Sequence, residues 1–261
     1  MTLASIYPSV QGIEIPVFLA GKAGRPILYL HGLFGHQGAT EFLTELGQLG
    51  VVHAPVHPGF DNSPLPKWMT NVEDLAYFYL DYLRDNDLQD ALVIGASLGG
   101  WIAAQMSVMD TSRIGALALI NTVGIRTKER DQADLADIFT MPDSLILEAL
   151  YCDTERFAPN FANMDDTKLE EYARNREAVA LYGWKPYLHD PKLGGRLRRI
   201  NVPTAVFWGE KDGIAPTEYG KKVAELIPNA DFVEIANAAH CPEIEQPKET
   251  IGAISRFMEN L

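Results

Sequence analysis

The sequence predicts an α/β fold: a mostly parallel central sheet flanked by helices, with a helical segment inserted between two strands. Three observations carry this. Short apolar runs alternate with stretches of helical spacing. Between Val123 and Gly195 that rhythm breaks, and about 70 residues pass with no convincing strand. The length, 261 residues, suits one large domain of this class. At 28.9 kDa, area scaling gives roughly 11,000 Å² folded against roughly 42,000 Å² unfolded, and 47% hydrophobic residues supply the core.

Arg25-Pro26 leads into Ile27-Leu28-Tyr29-Leu30, a strand ending at His31-Gly32. Glu41 to Leu49 has helical spacing, and Val51 to Pro55 reads as the next strand, broken by Pro58-Gly59. Val72 to Leu83 is an amphipathic helix capped by Asn71, whose side chain can accept an orphan backbone N–H. Ala91 to Ile94 is a buried strand, followed by a helix from Gly100 to Met109. Leu117 to Ile120, Thr204 to Trp208 and Phe232 to Ile235 are the remaining strands, and Glu249 to Leu261 closes the chain as a helix. Inside the interruption, helices are expected at Asp131 to Thr140, Asp143 to Leu150 and Asp165 to Tyr182. Gly183, Pro186, Pro191 and Gly194-Gly195 end it. The expected organisation is thus a core from 1–122 and 196–261, with a helical insertion at 123–195.

Charge narrows the function. With 22 Lys+Arg against 35 Asp+Glu the net charge is 22 − 35 = −13, which argues against nucleic acid and anionic membrane surfaces as partners. The densest basic stretch, Arg196, Arg198 and Arg199, has no interleaved aromatics and reads as a solvated helix face. Two distant cysteines, Cys152 and Cys241, give no disulfide framework. The start lacks a basic-then-apolar leader, and no apolar run approaches about 18 residues. A cytoplasmic protein with a small-molecule substrate is expected; the oligomeric state is left open.

Gly95-Ala96-Ser97-Leu98-Gly99 is the most informative pentapeptide. A G-x-S-x-G pattern arises by chance in about one such sequence in twenty, so context decides: an apolar strand precedes it and a helix follows. A tight turn there exposes the Ser97 hydroxyl above the sheet edge, and side chains at 95 and 99 would collide, hence glycines. The backbone N–H groups of the following helix start favour developing negative charge. An ordinary strand–helix turn containing a serine is the plainer alternative. A serine hydroxyl needs a base, and the base an orienting acid. His240 follows the last strand and Asp212 the strand ending at Trp208. All three therefore fall at the same edge of a parallel sheet, where ligands bind.

On these residues the chain resembles the α/β-hydrolase fold superfamily over essentially its whole length. The resemblance rests on His31-Gly32-Leu33-Phe34-Gly35, the turn Gly95 to Gly99, Gly209-Glu210-Lys211-Asp212, and Ala239-His240 with the stretch to Pro247. It implies that Ser97 is the nucleophile, His240 general base then acid, and Asp212 the group that orients His240. The implied oxyanion hole uses the backbone N–H of Leu98 and that of Leu33, with Phe34 close behind. Some members place the acid one strand earlier, but Asn121 stands there uncharged. The insertion falls where this family carries its helical cap. Two positions depart from the pattern: Asp61 stands where relatives commonly have a small glycine, and Cys241, expected as a structural thiol, follows the histidine.

The other histidines make no metal site. His53 and His57, on strand and loop, are roughly 13 Å apart, too far to share an ion. His31 is expected to be a hydrogen-bonding residue beneath the oxyanion loop and His36 to be exposed. No H-E-x-x-H, phosphate loop or dinucleotide fingerprint occurs, so no metal or organic cofactor is expected. The first expectation is hydrolysis of a carboxylic ester, lactone or thioester through an acyl-enzyme. The alternative is carbon–carbon bond hydrolysis of a diketone or ring-cleavage product, with Arg126, Arg174 or Arg176 holding a carboxylate. A non-catalytic small-molecule receptor is the third reading. Phe34, Trp68, Met69, Trp101, Phe139, Tyr182 and Trp184 are the candidate pocket residues, core packing being the competing role for most.

Overall fold

A computed structural model describes residues 3–129 and 132–261. The chain opens with four short strands, β1 (Ala4–Ile6), β2 (Ser9–Val10), β3 (Ile13–Glu14) and β4 (Val17–Ala20). Then come β5 (Pro26–Leu30), α1 (Thr40–Leu46), β6 (Val51–Pro55), α2 (Val72–Asp85), β7 (Ala91–Ala96), α3 (Leu98–Met109) and β8 (Ile114–Ile120). The long excursion that follows holds α4 (Asp143–Leu150), α5 (Thr154–Phe157), α6 (Asp166–Gly183) and α7 (Leu193–Arg196). The chain ends with β9 (Thr204–Gly209), α8 (Thr217–Leu226), β10 (Asp231–Ile235), α9 (Pro242–Glu245) and α10 (Pro247–Met258).

Eight strands form the sheet in the order β1-β4-β6-β5-β7-β8-β9-β10. From β6 to β10 neighbouring pairs are parallel, and at one edge β4 alone runs opposite, pairing antiparallel with both β6 and β1. The continuous apolar runs now have a cause. Along β7, Val93 enters the core that contains α2 and α3, while Leu92 and Ile94 enter the opposite core with α1 and α10. A strand covered on both faces needs apolar side chains at odd and even positions alike. The exposed surface, 11728 Å², is close to the scaling value.

Asn71 caps α2 as expected, its side chain accepting the Asp74 N–H at 2.9 Å. The four N-terminal strands were not foreseen from sequence. The helix expected at Asp131 to Thr140 is a correction: Asp131 lies outside the described residues, and 132–140 form bends and turns. Its carboxylates capture local backbone instead. Asp134 accepts from Thr127 N–H and hydroxyl, and Asp137 from the N–H groups of Phe139 and Thr140. The ends of the excursion are stitched together, Gly124 N–H donating to Leu188 O and Asp190 N–H to Gly124 O, each at 3.0 Å. Asp61, in the left-handed region at φ 45°, grips α6: its N–H donates to Asn175 Oδ1 at 2.6 Å, and Asn175 Nδ2 donates back to Asp61 Oδ1 at 2.8 Å. This clamp accounts for a carboxylate where relatives commonly have a small residue.

Candidate active site

Ser97 sits between β7 and α3 at φ 51°, ψ −112°, a left-handed φ that costs energy for a residue with a side chain. The flanking glycines permit it. A Cβ on Gly95 would lie 2.2 Å from Gly99 O, and one on Gly99 2.0 Å from Leu30 O. The hydroxyl is thereby lifted to the C-terminal edge of the sheet, with α3 starting at the next residue.

Asp212 follows β9 and His240 follows β10 at the same edge. His240 Nδ1 lies 2.9 Å from Asp212 Oδ2 and 3.0 Å from Oδ1, and His240 Nε2 lies 2.8 Å from Ser97 Oγ. Because a carboxylate only accepts, Nδ1 carries the hydrogen, and Nε2 is left to accept from the serine hydroxyl. Both partners are buried, the His240 side chain 3% exposed and Asp212 not at all. Burial is the largest single influence on His240 and lowers its pKa, but the Asp212 charge and hydrogen bond, with Glu243, outweigh it and leave the imidazole raised above 6.5. Asp212 Oδ1 accepts from the N–H groups of Ile214 (2.8 Å) and Ala215 (3.0 Å). Oδ2 accepts from Asn121 Nδ2 at 2.7 Å. Asn121, passed over in sequence as the wrong charge, is thus a buried orienting residue.

Among the described residues, neither the Leu98 nor the Leu33 backbone N–H donates a hydrogen bond within the protein. Both residues line a chamber of about 20 Å³ that reaches Ser97 and His240. Leu33 and Phe34 also line a second chamber of about 20 Å³ that likewise reaches Ser97 and His240. The loop carrying them rests on a buried histidine pair. His31 Nδ1–H donates to Gly32 O (2.8 Å), while its Nε2 accepts from the His57 N–H (3.0 Å). His57 Nε2–H donates to His31 O (3.0 Å) and Nδ1 accepts from the Tyr79 hydroxyl. His36 is not exposed as expected; its ring packs against Phe18 and His31 and its Nε2–H donates to Pro55 O at 3.0 Å. No group of three or more His, Cys, Asp or Glu among the described residues is arranged to hold a metal ion.

The expected aromatic pocket is largely replaced by an aliphatic one. Val123, Ile138, Leu150, Val179, Leu188 and Ile214 complete the first chamber. Phe34 borders the second, and Phe139 a neighbouring cleft with Phe34. Trp68 and Trp184 are more than half exposed and Met69 and Trp101 are packed in the core. Tyr182 is tied to the core by donating to Pro58 O at 2.9 Å. Medium-sized aliphatic side chains carry no sequence signal that separates pocket wall from core packing, whereas large aromatics stand out. Cys241 is buried, and its thiol is pushed well above its ordinary pKa by burial and by Glu243, as suits an unreactive thiol.

Residues 27–253 match the Alpha/beta hydrolase family. The chain belongs to this family. It is 29% identical over 254 residues to the pimeloyl-[acyl-carrier protein] methyl ester esterase of Chromobacterium violaceum, covering 90% of this chain and 95% of that one. It is 25% identical over 269 aligned positions to the 2-hydroxy-6-oxo-6-(2'-aminophenyl)hexa-2,4-dienoic acid hydrolase of Metapseudomonas resinovorans, covering 97% and 90%. Among solved structures, a bacterial membrane phospholipase A superposes with a TM-score of 0.80 at 21% identity, covering 99% of this chain and 86% of that one, and supports the fold. No helix among the described residues is long and apolar enough to cross a membrane.

Proposed function

We propose that this alpha/beta hydrolase cleaves a carboxylic ester, lactone or thioester of a small, largely apolar substrate through an acyl-enzyme on Ser97. The observation that carries the reading is His240 standing within hydrogen-bond reach of both Ser97 Oγ and Asp212. His240 Nε2 takes the serine proton as Oγ bonds to the carbonyl carbon. The resulting oxyanion accepts from the N–H groups of Leu98 and Leu33. The bond to the leaving oxygen or sulfur then breaks, and that atom takes the proton from Nε2. Water repeats the sequence on the acyl-enzyme, freeing the acid and restoring Ser97. The aliphatic first chamber suits an apolar acyl group. At about 20 Å³ it holds little more than a water molecule, so an acyl chain enters as the 123–195 segment moves outward. The two free thiols fit a reducing, cytoplasmic setting.

The carbon–carbon reading needs a free arginine, and the candidates are engaged. Arg126 binds the backbone oxygens of Lys128, Glu129 and Gln132, Arg174 pairs with Glu170, and Arg176 with Asp143. The test is initial rates on p-nitrophenyl acetate and longer acyl homologues, native chain beside Ser97→Ala. A loss of about a thousandfold or more is expected in the variant. Equal rates in both would overturn the reading.

A further inference from the structure

Two chambers, not one, reach Ser97, and they differ in chemistry. The first has aliphatic walls around Ser97 and His240. The second is bounded by Gln37, Ser97, Leu150, His240, Cys241 and Glu243, and two of these residues each carry a polar atom with no partner. Gln37 Nε2 and Glu243 Oε2 are both buried and both lack a hydrogen bond. Glu243 as a whole is 6% exposed. An unpaired buried polar group is destabilising, and neither atom donates or accepts in the acyl transfer above. Two residues bordering one small space beside Ser97, each with such an atom, describe a receptor for a group that accepts from an amide N–H and donates to a carboxyl oxygen. A hydroxyl does both.

The side of the nucleophile also matters. His240 hands its proton to the leaving oxygen, so the leaving group lies against the His240 loop, which supplies His240, Cys241, Glu243 and Ile244 to this second chamber. Gln37 further borders an open groove of about 710 Å³ that runs past Phe18 and Asp61, a route by which the alcohol could leave.

We propose that Gln37 and Glu243 form a leaving-group subsite that selects esters whose alcohol part carries a hydroxyl near the ester oxygen. The Gln37 amide donates to that hydroxyl oxygen and the hydroxyl donates to Glu243 Oε2. A plain alkyl leaving group leaves both groups unpaired. Burial raises Glu243 to about 7, so the carboxyl near neutral pH is partly protonated and the chamber avoids a full unpaired charge. The proposal rests on the acyl-enzyme reading, and its test separates the two.

The full chain is assayed on ethyl butyrate and 2-hydroxyethyl butyrate, with p-nitrophenyl butyrate reporting on the nucleophile. The native ratio of kcat/KM, hydroxyethyl over ethyl, is expected to be at least about tenfold. It should fall towards one in Glu243→Met and in Gln37→Met, which lie on separate segments. Glu243→Gln, which keeps a donor and an acceptor, should retain most of it. In parallel, calorimetric titration of Ser97→Ala with both esters should show the same preference, lost when Glu243→Met is added. If the preference appears in binding but native chain hydrolyses none of the esters, the subsite stands and the acyl-enzyme reading falls. If p-nitrophenyl butyrate is turned over through Ser97 yet neither rate nor binding distinguishes the two esters, the subsite is overturned and the acyl-enzyme reading stands. A native preference that survives both Met substitutions also overturns it.

Discussion

Asn121 holds Oδ2 of Asp212, the same oxygen that His240 Nδ1 meets at 2.9 Å. Its amide donates to Oδ2 at 2.7 Å, and its own Oδ1 accepts from the Gly209 N–H at 3.0 Å, so the side chain is fixed at both ends. With Ile214 and Ala215 holding Oδ1, the carboxylate has one orientation, the one that meets His240 Nδ1. A buried hydrogen bond to a charged group contributes about 1.5–3 kcal/mol. If part of that is expressed in the placement of His240, Asn121→Ala lowers kcat on p-nitrophenyl esters by about tenfold to a hundredfold with little change in KM. An unchanged kcat in a folded variant would mean that the two backbone N–H groups suffice.

In the proposed acyl transfer the His240 imidazole must be neutral to accept the serine proton. Asp212 holds the His240 pKa above 6.5 despite burial, so kcat/KM should rise with pH and level off only above the ordinary histidine range. Asp212→Asn removes the charge, so burial then dominates and the midpoint should move below 6.5, while the rate falls by about 10⁴-fold. A pH–rate profile for both chains checks the direction. A midpoint that stays in place would assign the titration to another group.

The Ser97 turn tolerates no side chain at Gly99, where a Cβ would stand 2.0 Å from a backbone oxygen. Gly99→Ala is expected to destabilise by more than about 3 kcal/mol or to prevent folding. Gly195 is the contrast: it lies in α7 with nothing within 4 Å of an added Cβ. Gly195→Ala should stabilise by about 0.5–1 kcal/mol, because alanine has less backbone entropy to lose and favours the helix. Urea unfolding of the two variants beside the native chain measures both.

These positions also show what is legible in sequence and what is not. β7, Ser97 and the start of α3 announce themselves, because a buried strand, a glycine-flanked turn and a helix each constrain residue type locally. Asp212 and His240 are legible through the strands that precede them. Asn121 was hidden, because an amide after a strand has many uses and its partner lies 91 positions away. The pairing of Gln37 with Glu243 in one chamber was hidden for the same reason. β1 to β4 escaped because two to four residues are too few to display a period. The 132–140 region misled because its aspartates promise helix caps but instead bind their neighbours' backbone.

Beneath the Leu33 loop, burial depresses three histidines: His31 well below 6.5, His36 to about 4 and His57 to about 3. A folded value below the unfolded one means that the unfolded chain binds more protons in this window. The stability is therefore fully present above pH 6.5 and is lost as pH falls through 6.5 towards the folded values. Between pH 7 and pH 5, His36 and His57 should each remove about 2 kcal/mol, an order-of-magnitude figure from linkage. His240 and Glu243, with their raised values, work in the opposite direction and blunt the slope. Urea unfolding at the two pH values checks the sign, and His36→Phe should flatten the dependence. Equal stability at both pH values would contradict it.

The reciprocal pair between Asp61 and Asn175 bears on how a substrate reaches so small a chamber. It joins the loop after β6 to α6 in the inserted segment, through bonds of 2.6 and 2.8 Å. Asn175 is fully buried, so Asn175→Ala leaves the Asp61 carboxylate and N–H with one partner fewer each. The expected loss, about 1.5–3 kcal/mol, falls on the contact between the insertion and the core. If opening there is a local event, amide hydrogen exchange in α6 should accelerate by about tenfold or more while β7 amides keep their native rates. KM for a long acyl ester should fall in the same variant, since less free energy is needed to admit it. Equal acceleration in α6 and β7 would show instead that the pair stabilises the whole fold, and that entry proceeds without separating α6 from the core.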